Sequence, residues 1–189
     1  LEHAAADPVR GGQVGGVDRQ QAVEGLSRPG GAALEVGPRH RGEPVVEPMV
    51  AKGSVWKYLD NGSDQGTAWR GTNFQDAAWL SGAAELGYGD TQDGRPEATQ
   101  IRYGTNANNR FVTTYFRKGF VVAQAGFYSA LTLRLVRDDG AVVYLNGNEI
   151  WRVNMPAAPT VISFDTHAVS SISGTSESAW NELPLPTST

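Results

Sequence analysis

The sequence predicts an all-β fold of antiparallel strands, and three observations carry that reading. Between Ala130 and Val153, Leu131, Leu133 and Leu135 alternate with Thr132, Arg134 and Val136, and two further apolar runs follow, Val142 to Leu145 and Ile150 to Val153. Period-two alternation over such a length is the pattern of a strand with one buried face. Asn146-Gly147 separates the last two runs, and Asn-Gly between apolar stretches is a strong hairpin signal. The chain also holds 23 Gly and 10 Pro, which interrupt helices and supply the turns that short strands need.

Composition narrows the function classes. With 189 residues and 40% hydrophobic content, the chain can bury one substantial core. A formal net charge of −4 offers no basic footprint for nucleic acid or an anionic membrane surface. The absence of cysteine excludes disulfides and thiolate metal sites. No apolar run reaches the roughly 20 residues of a membrane-spanning helix.

Taken in order, the chain changes character at Met49. Leu1 to Pro48 has no Phe, Tyr, Trp or Lys and is rich in Gly, Pro, Ala, Val and Arg, a composition with little apolar surface to set against its ordering entropy. It reads as a flexible or non-native leader over 1–48, with Met49 as the natural start and a β-module over 49–189. Val55 to Leu59 is the first strand of that module. Trp56, Trp69 and Trp79 belong to its core by size. Residues 79–90, where Gly recurs, read as an irregular packed connection. Arg110 to Val122 reads as the longest strand, and Thr160 to Phe164 as a short one. Asp138-Asp139-Gly140 turns the chain between two strands of a meander.

Several blocks in order then resemble a known type of module: Gly53 to Asp60, Gly66 to Trp69, Trp79, Glu85 to Asp90, Thr114 to Arg117, and Leu135 to Gly147. They are similar to the β-sandwich modules appended to secreted bacterial proteins, metallophosphatase-like and lamin-tail-containing ones among them. The resemblance implies a jelly-roll-like sandwich related to galactose-binding-like accessory domains, non-catalytic and secreted or cell-surface. The Asp-Asp-Gly corner before a Val-x-Leu-Asn-Gly strand is similar to that of PA14-type lectin domains, where paired acids hold calcium and a sugar diol. Members of this type continue past the Trp180 region into a further apolar strand. The module is therefore expected to expose a sheet edge and to associate as a homodimer or by strand exchange.

Candidate site residues follow from donor chemistry. Asp138 and Asp139 place two carboxylates at a strand end, and Asp60 and Asp64 flank a polar turn, so both pairs are candidate Ca²⁺ ligands. Each is equally readable as a turn whose acids cap backbone amides. Asp90, Asp93 and Glu97 form a further acidic cluster. For a carbohydrate, Tyr103 with Asn106, Asn108 and Asn109 offers an aromatic face beside amides, and Trp151 and Trp180 are further stacking candidates. His167 is the one histidine outside the leader, and no Gly-x-Ser-x-Gly elbow accompanies it. The functional expectation is a calcium-stabilised, carbohydrate-binding accessory module. A small metal-dependent hydrolase of phosphoesters or glycosides, and a structural spacer, are the alternatives.

Overall fold

The computed structural model describes residues 34–35, 46–89, 96–122 and 128–185, the first four of these as backbone only. The regular structure is strand, with short 3-10 turns at Ala68–Arg70 and Gly174–Ser176 and no α-helix among the described residues. The fold is all-β, as the patterning predicts.

The first ladder pairs β1 (Leu34–Glu35) with β2 (Val46–Glu47), both inside the stretch expected as leader. A three-stranded antiparallel sheet has β3 (Val55–Leu59) at its centre, flanked by β4 (Leu80–Ala83) and β7 (Tyr115–Arg117). β5 (Leu86–Gly87) and β6 (Thr99–Gln100) make a short parallel pair. β8 (Leu131–Leu135) pairs antiparallel with β11 (Asn181–Leu185), and β9 (Ala141–Leu145) with β10 (Asn148–Val153).

Two apolar clusters fill the interior. The first gathers Trp56, Tyr58, Leu86, Tyr88, Phe116, Leu133, Leu135 and Val143. The second is built on Trp69, Trp79, Tyr115, Val142, Tyr144, Met155 and Ile162. Side chains alternate across a strand, so a strand buried on both faces feeds both clusters. β7 does this: Phe116 joins the first cluster, opposite Tyr58 in the register, and Tyr115 joins the second, opposite Leu59. β9 repeats the arrangement, with Val143 in the first cluster and Val142 and Tyr144 in the second. Trp56, Trp69 and Trp79 are all buried, as their size demands.

Arg117 shows what two-sided burial costs. Its side chain is buried among aromatics and lies over the Phe74 ring; Nε donates to Asp76 (2.9 Å) and Nη1 to the Gly71 carbonyl (3.2 Å) and the Trp69 carbonyl, while Nη2 meets no acceptor among the described residues. A charge removed from water is tolerated only with such partners.

Several local expectations are corrected. The acidic corner does not turn within a meander, because β8 bonds to β11 and β9 to β10, so the corner carries the chain from one ladder to another. Arg110 to Val122 is strand only at Tyr115–Arg117, and just before it the Thr113 hydroxyl donates to the Phe164 carbonyl at 2.5 Å rather than facing a ladder. Thr160 to Phe164 is not a strand: the Thr160 N–H turns back to Ala157 and the Ser163 N–H bonds the Thr166 hydroxyl. The stretch from Trp79 onward, expected to be an irregular connection, supplies both β4 and β5. The Asn146-Gly147 hairpin forms as expected, with both residues at positive φ (51° and 85°) and Asn148 opposite Leu145.

Trp69 is fully buried in the second cluster. Its ring meets Tyr115 and Tyr144 edge-on at 4.8 and 5.6 Å, and its indole N–H donates to the Gly66 carbonyl. Trp69→Ala is expected to cost about 3–5 kcal/mol, read as a fall in the urea midpoint. A loss under about 1 kcal/mol, the range of surface changes, would mean that this cluster is not a structural core.

Candidate functional site

The Tyr103 loop is built from the end of β3 outward. Asp60 follows β3 directly and is buried at 1% exposure. A buried carboxylate needs donors, and Arg102 supplies them: its backbone N–H donates to Oδ2 at 2.7 Å and its guanidinium to Oδ1 at 2.8 Å. The bond to Asp60 holds the Arg102 guanidinium above its ordinary value, whereas burial, reinforced by the Asp60 charge, pushes the Tyr58 hydroxyl up. Asp60 thus clamps the residue that precedes Tyr103.

Beyond Arg102 the loop closes on itself. The Phe111 N–H donates to the Tyr103 carbonyl at 2.9 Å, the Asn109 N–H to the Asn106 carbonyl at 3.0 Å, and the Asn108 N–H to Asn106 Oδ1 at 2.9 Å. Tyr103 is half-buried against Tyr88, ring centres 4.6 Å apart, and the Arg110 guanidinium lies over both rings at 5.1 and 5.4 Å. Cation–π contacts of this kind orient the guanidinium and the rings together. Asn106, Asn108 and Asn109 are exposed. The four residues proposed from sequence are therefore in one turn, the Tyr103 ring packed with Tyr88 and Arg110 and the three asparagines exposed.

The Asp138-Asp139-Gly140 corner is buried instead. Both aspartates have 0% exposure. Asp139 Oδ1 accepts the Ile172 N–H at 2.7 Å, and its carbonyl accepts from the Asn154 side chain, which also bonds the Ser170 carbonyl. Gly140 is required by space: a Cβ there would lie 2.6 Å from Met155 Sδ and 3.0 Å from the Asn154 carbonyl. Asp139 therefore staples three segments together.

Asp138 is different, because among the described residues neither of its carboxylate oxygens meets an N–H donor, and its hydrogen-bonding neighbour is the Asp139 carboxyl. Burial first, then the charges of Asp139 and Glu177, hold its pKa well above the usual carboxylate range. Burial lowers the neighbouring Arg137, against the pull of both aspartates. Two all-oxygen carboxylates fit a hard cation such as Ca²⁺. Among the described residues no group of three His, Cys, Asp or Glu is arranged to hold a metal.

The remaining candidates are scattered. Asp60 is committed to Arg102, and Asp64 caps the Gly66 N–H at 2.7 Å, so the two make a braced turn. Trp151 is half-buried on β10 against the first cluster, and Trp180 is half-buried just before β11. Asp90 and Asp93 lie outside the described residues. Asp165 accepts the Ser163 hydroxyl at 2.6 Å, and this bond lowers its pKa. Sequence reading missed Arg70, which lies over Tyr144 at 4.2 Å and belongs to no motif. No family model, no curated protein and no solved structure matches the chain.

Gly62 locks the loop from below. It sits at φ +72, and a Cβ there would fall 2.4 Å from the Phe111 ring. Gly62→Ala is expected to cost at least about 1–2 kcal/mol from the left-handed backbone alone, more once Phe111 is displaced. It should raise amide exchange at residues 103–111 before the rest of the chain. An unchanged midpoint and unchanged exchange would show that the loop does not rest on this contact.

Proposed function

We propose that the chain is a non-catalytic, carbohydrate-binding accessory module of a secreted or cell-surface protein, a jelly-roll-like β-sandwich with calcium at its acidic corner. The observation that carries this is the Tyr103 turn. A pyranose presents C–H groups on one face and hydroxyls at its edge, so it suits an aromatic face bordered by amides. The Asp60 clamp, the Phe111 closure and the Arg110 stack fix that geometry in advance, which reduces the ordering cost of binding.

A second observation favours the cation. A buried carboxylate with no donor is costly as an anion, and a Ca²⁺ ion shared with Asp139 would offset that cost. Because neither aspartate has accessible surface, such an ion would brace the corner and not present itself to a sugar. The same burial weighs against a hydrolase working through these acids, since a substrate could not reach them. Association through an open sheet edge stays part of the proposal, with β4 as an edge strand bearing Leu80 at 46% exposure.

Two experiments test the reading. In affinity electrophoresis against a panel of soluble polysaccharides, at least one should retard the full chain. Tyr103→Ala should weaken that retardation about tenfold or more, the range for an aromatic anchor, at a temperature where the variant, which also loses packing on Tyr88, is still fully folded by near-UV circular dichroism. Retardation by none of the panel would leave the spacer reading. Separately, calcium at a hundred times its Kd should stabilise the chain by about 2.7 kcal/mol, a rise of several degrees that Asp138→Asn abolishes. A melting temperature indifferent to calcium and chelator would remove the cation from the account.

A further inference from the structure

Arg70 closes the 3-10 turn Ala68–Arg70, and its guanidinium lies over Tyr144, 4.2 Å from the ring centre, and 5.8 Å from the Trp69 ring centre. It has no ion pair or hydrogen-bond acceptor among the described residues, and its buried Nε–H meets nothing. The Tyr144 hydroxyl, on a side chain only 2% exposed, also lacks a partner. Two described acids are committed elsewhere. Glu149, whose charge is felt at Tyr144, forms a two-point ion pair with Arg152, and Asp64 caps Gly66. Tyr115, at the other side of Trp69, has its pKa pushed up to about 12 by burial and accepts the Gln65 N–H.

In a chain with 20 acidic residues against 16 basic ones, Arg70 is thus held on aromatic rings with no acidic partner among the described residues. Guanidinium groups held in that way present a rigid fork that matches the two oxygens of a carboxylate or sulfate. The Asn146-Gly147 hairpin stands beside it, a Cβ on Gly147 being 3.6 Å from the Arg70 carbonyl. A shallow recess of about 580 Å³, lined by Ala68 and residues 71–75, adjoins the same turn. We infer that Arg70, backed by Tyr144, is an oxyanion-binding site for a carboxylate- or sulfate-bearing ligand, separate from the Tyr103 loop.

The test uses the full chain with ¹⁵N-labelled arginine. Sodium glucuronate and sodium sulfate are titrated in parallel at ionic strength matched with sodium chloride, and the Arg70 Nε–H resonance is followed. The inference expects a saturable shift with at least one of them and none with chloride; which arm saturates identifies the oxyanion. Arg70→Lys keeps the charge but loses the fork and should weaken binding about tenfold. Tyr144→Phe should weaken it too while leaving the fold intact, and Tyr103→Ala should leave it unchanged. No saturable shift with either anion, or saturation undiminished in both Arg70→Lys and Tyr144→Phe, overturns the inference.

Discussion

The Asp60 carboxylate is where the fold and the site meet. It ends β3, the central strand of the three-stranded sheet, and it is buried, so the chain had to bring it donors. Those donors come from a residue 42 positions away, through both the backbone and the side chain of Arg102. One ion pair of this sort is worth less for its charge than for its geometry, because the Arg102 side chain is 66% exposed and screened by water. What it fixes is the direction in which the chain leaves β6 and enters the Tyr103 turn. Phe111 and Gly62 then fill the space beneath.

The second constraint is the sharing of strands between two apolar clusters. A strand with one wet face can tolerate a polar residue at every second position, but β7 and β9 have no wet face. The consequence is visible in the polar groups buried on them or next to them. Arg117 on β7 requires three acceptors, and the carboxylates of Asp138 and Asp139, just before β9, are enclosed with the protein's own segments wrapped around them. Asp139 solves its burial with the Ile172 amide. Asp138 finds no such donor among the described residues, and its burial holds the carboxyl toward the neutral form instead.

Much of the strand content was legible because its signals are local. Val55 to Leu59 alternates, Asn146-Gly147 dictates its own hairpin, and tryptophans of that size have few places to go but inward. The pairings were not legible. β8 and β11 meet because Leu133 and Leu183 face the same cluster, and no short pattern announces a partner some 50 residues on. The alternation over Arg110 to Val122 misled for a related reason: with both faces buried at Tyr115–Arg117, the period-two pattern no longer distinguishes inside from outside. The Tyr103 turn was readable as an aromatic beside amides, yet its anchor was not, since no local pattern links Asp60 to Arg102, 42 positions on. Arg70 carried no signal at all, because an unpaired charge is a property of its surroundings.

Together these features describe an all-β chain whose loops are tied by long-range polar contacts as well as by strand pairing. The claim on which this rests is that Asp60 preorganises the Tyr103 turn. Hydrogen exchange of Asp60→Ala against the parent tests it most directly. The account predicts that the Arg102 amide and the amides of Asn108, Asn109 and Phe111 lose protection together while those of β8 and β9 keep theirs. Equal protection of the turn in both proteins would contradict it, and the turn would then owe its shape to its own sequence alone.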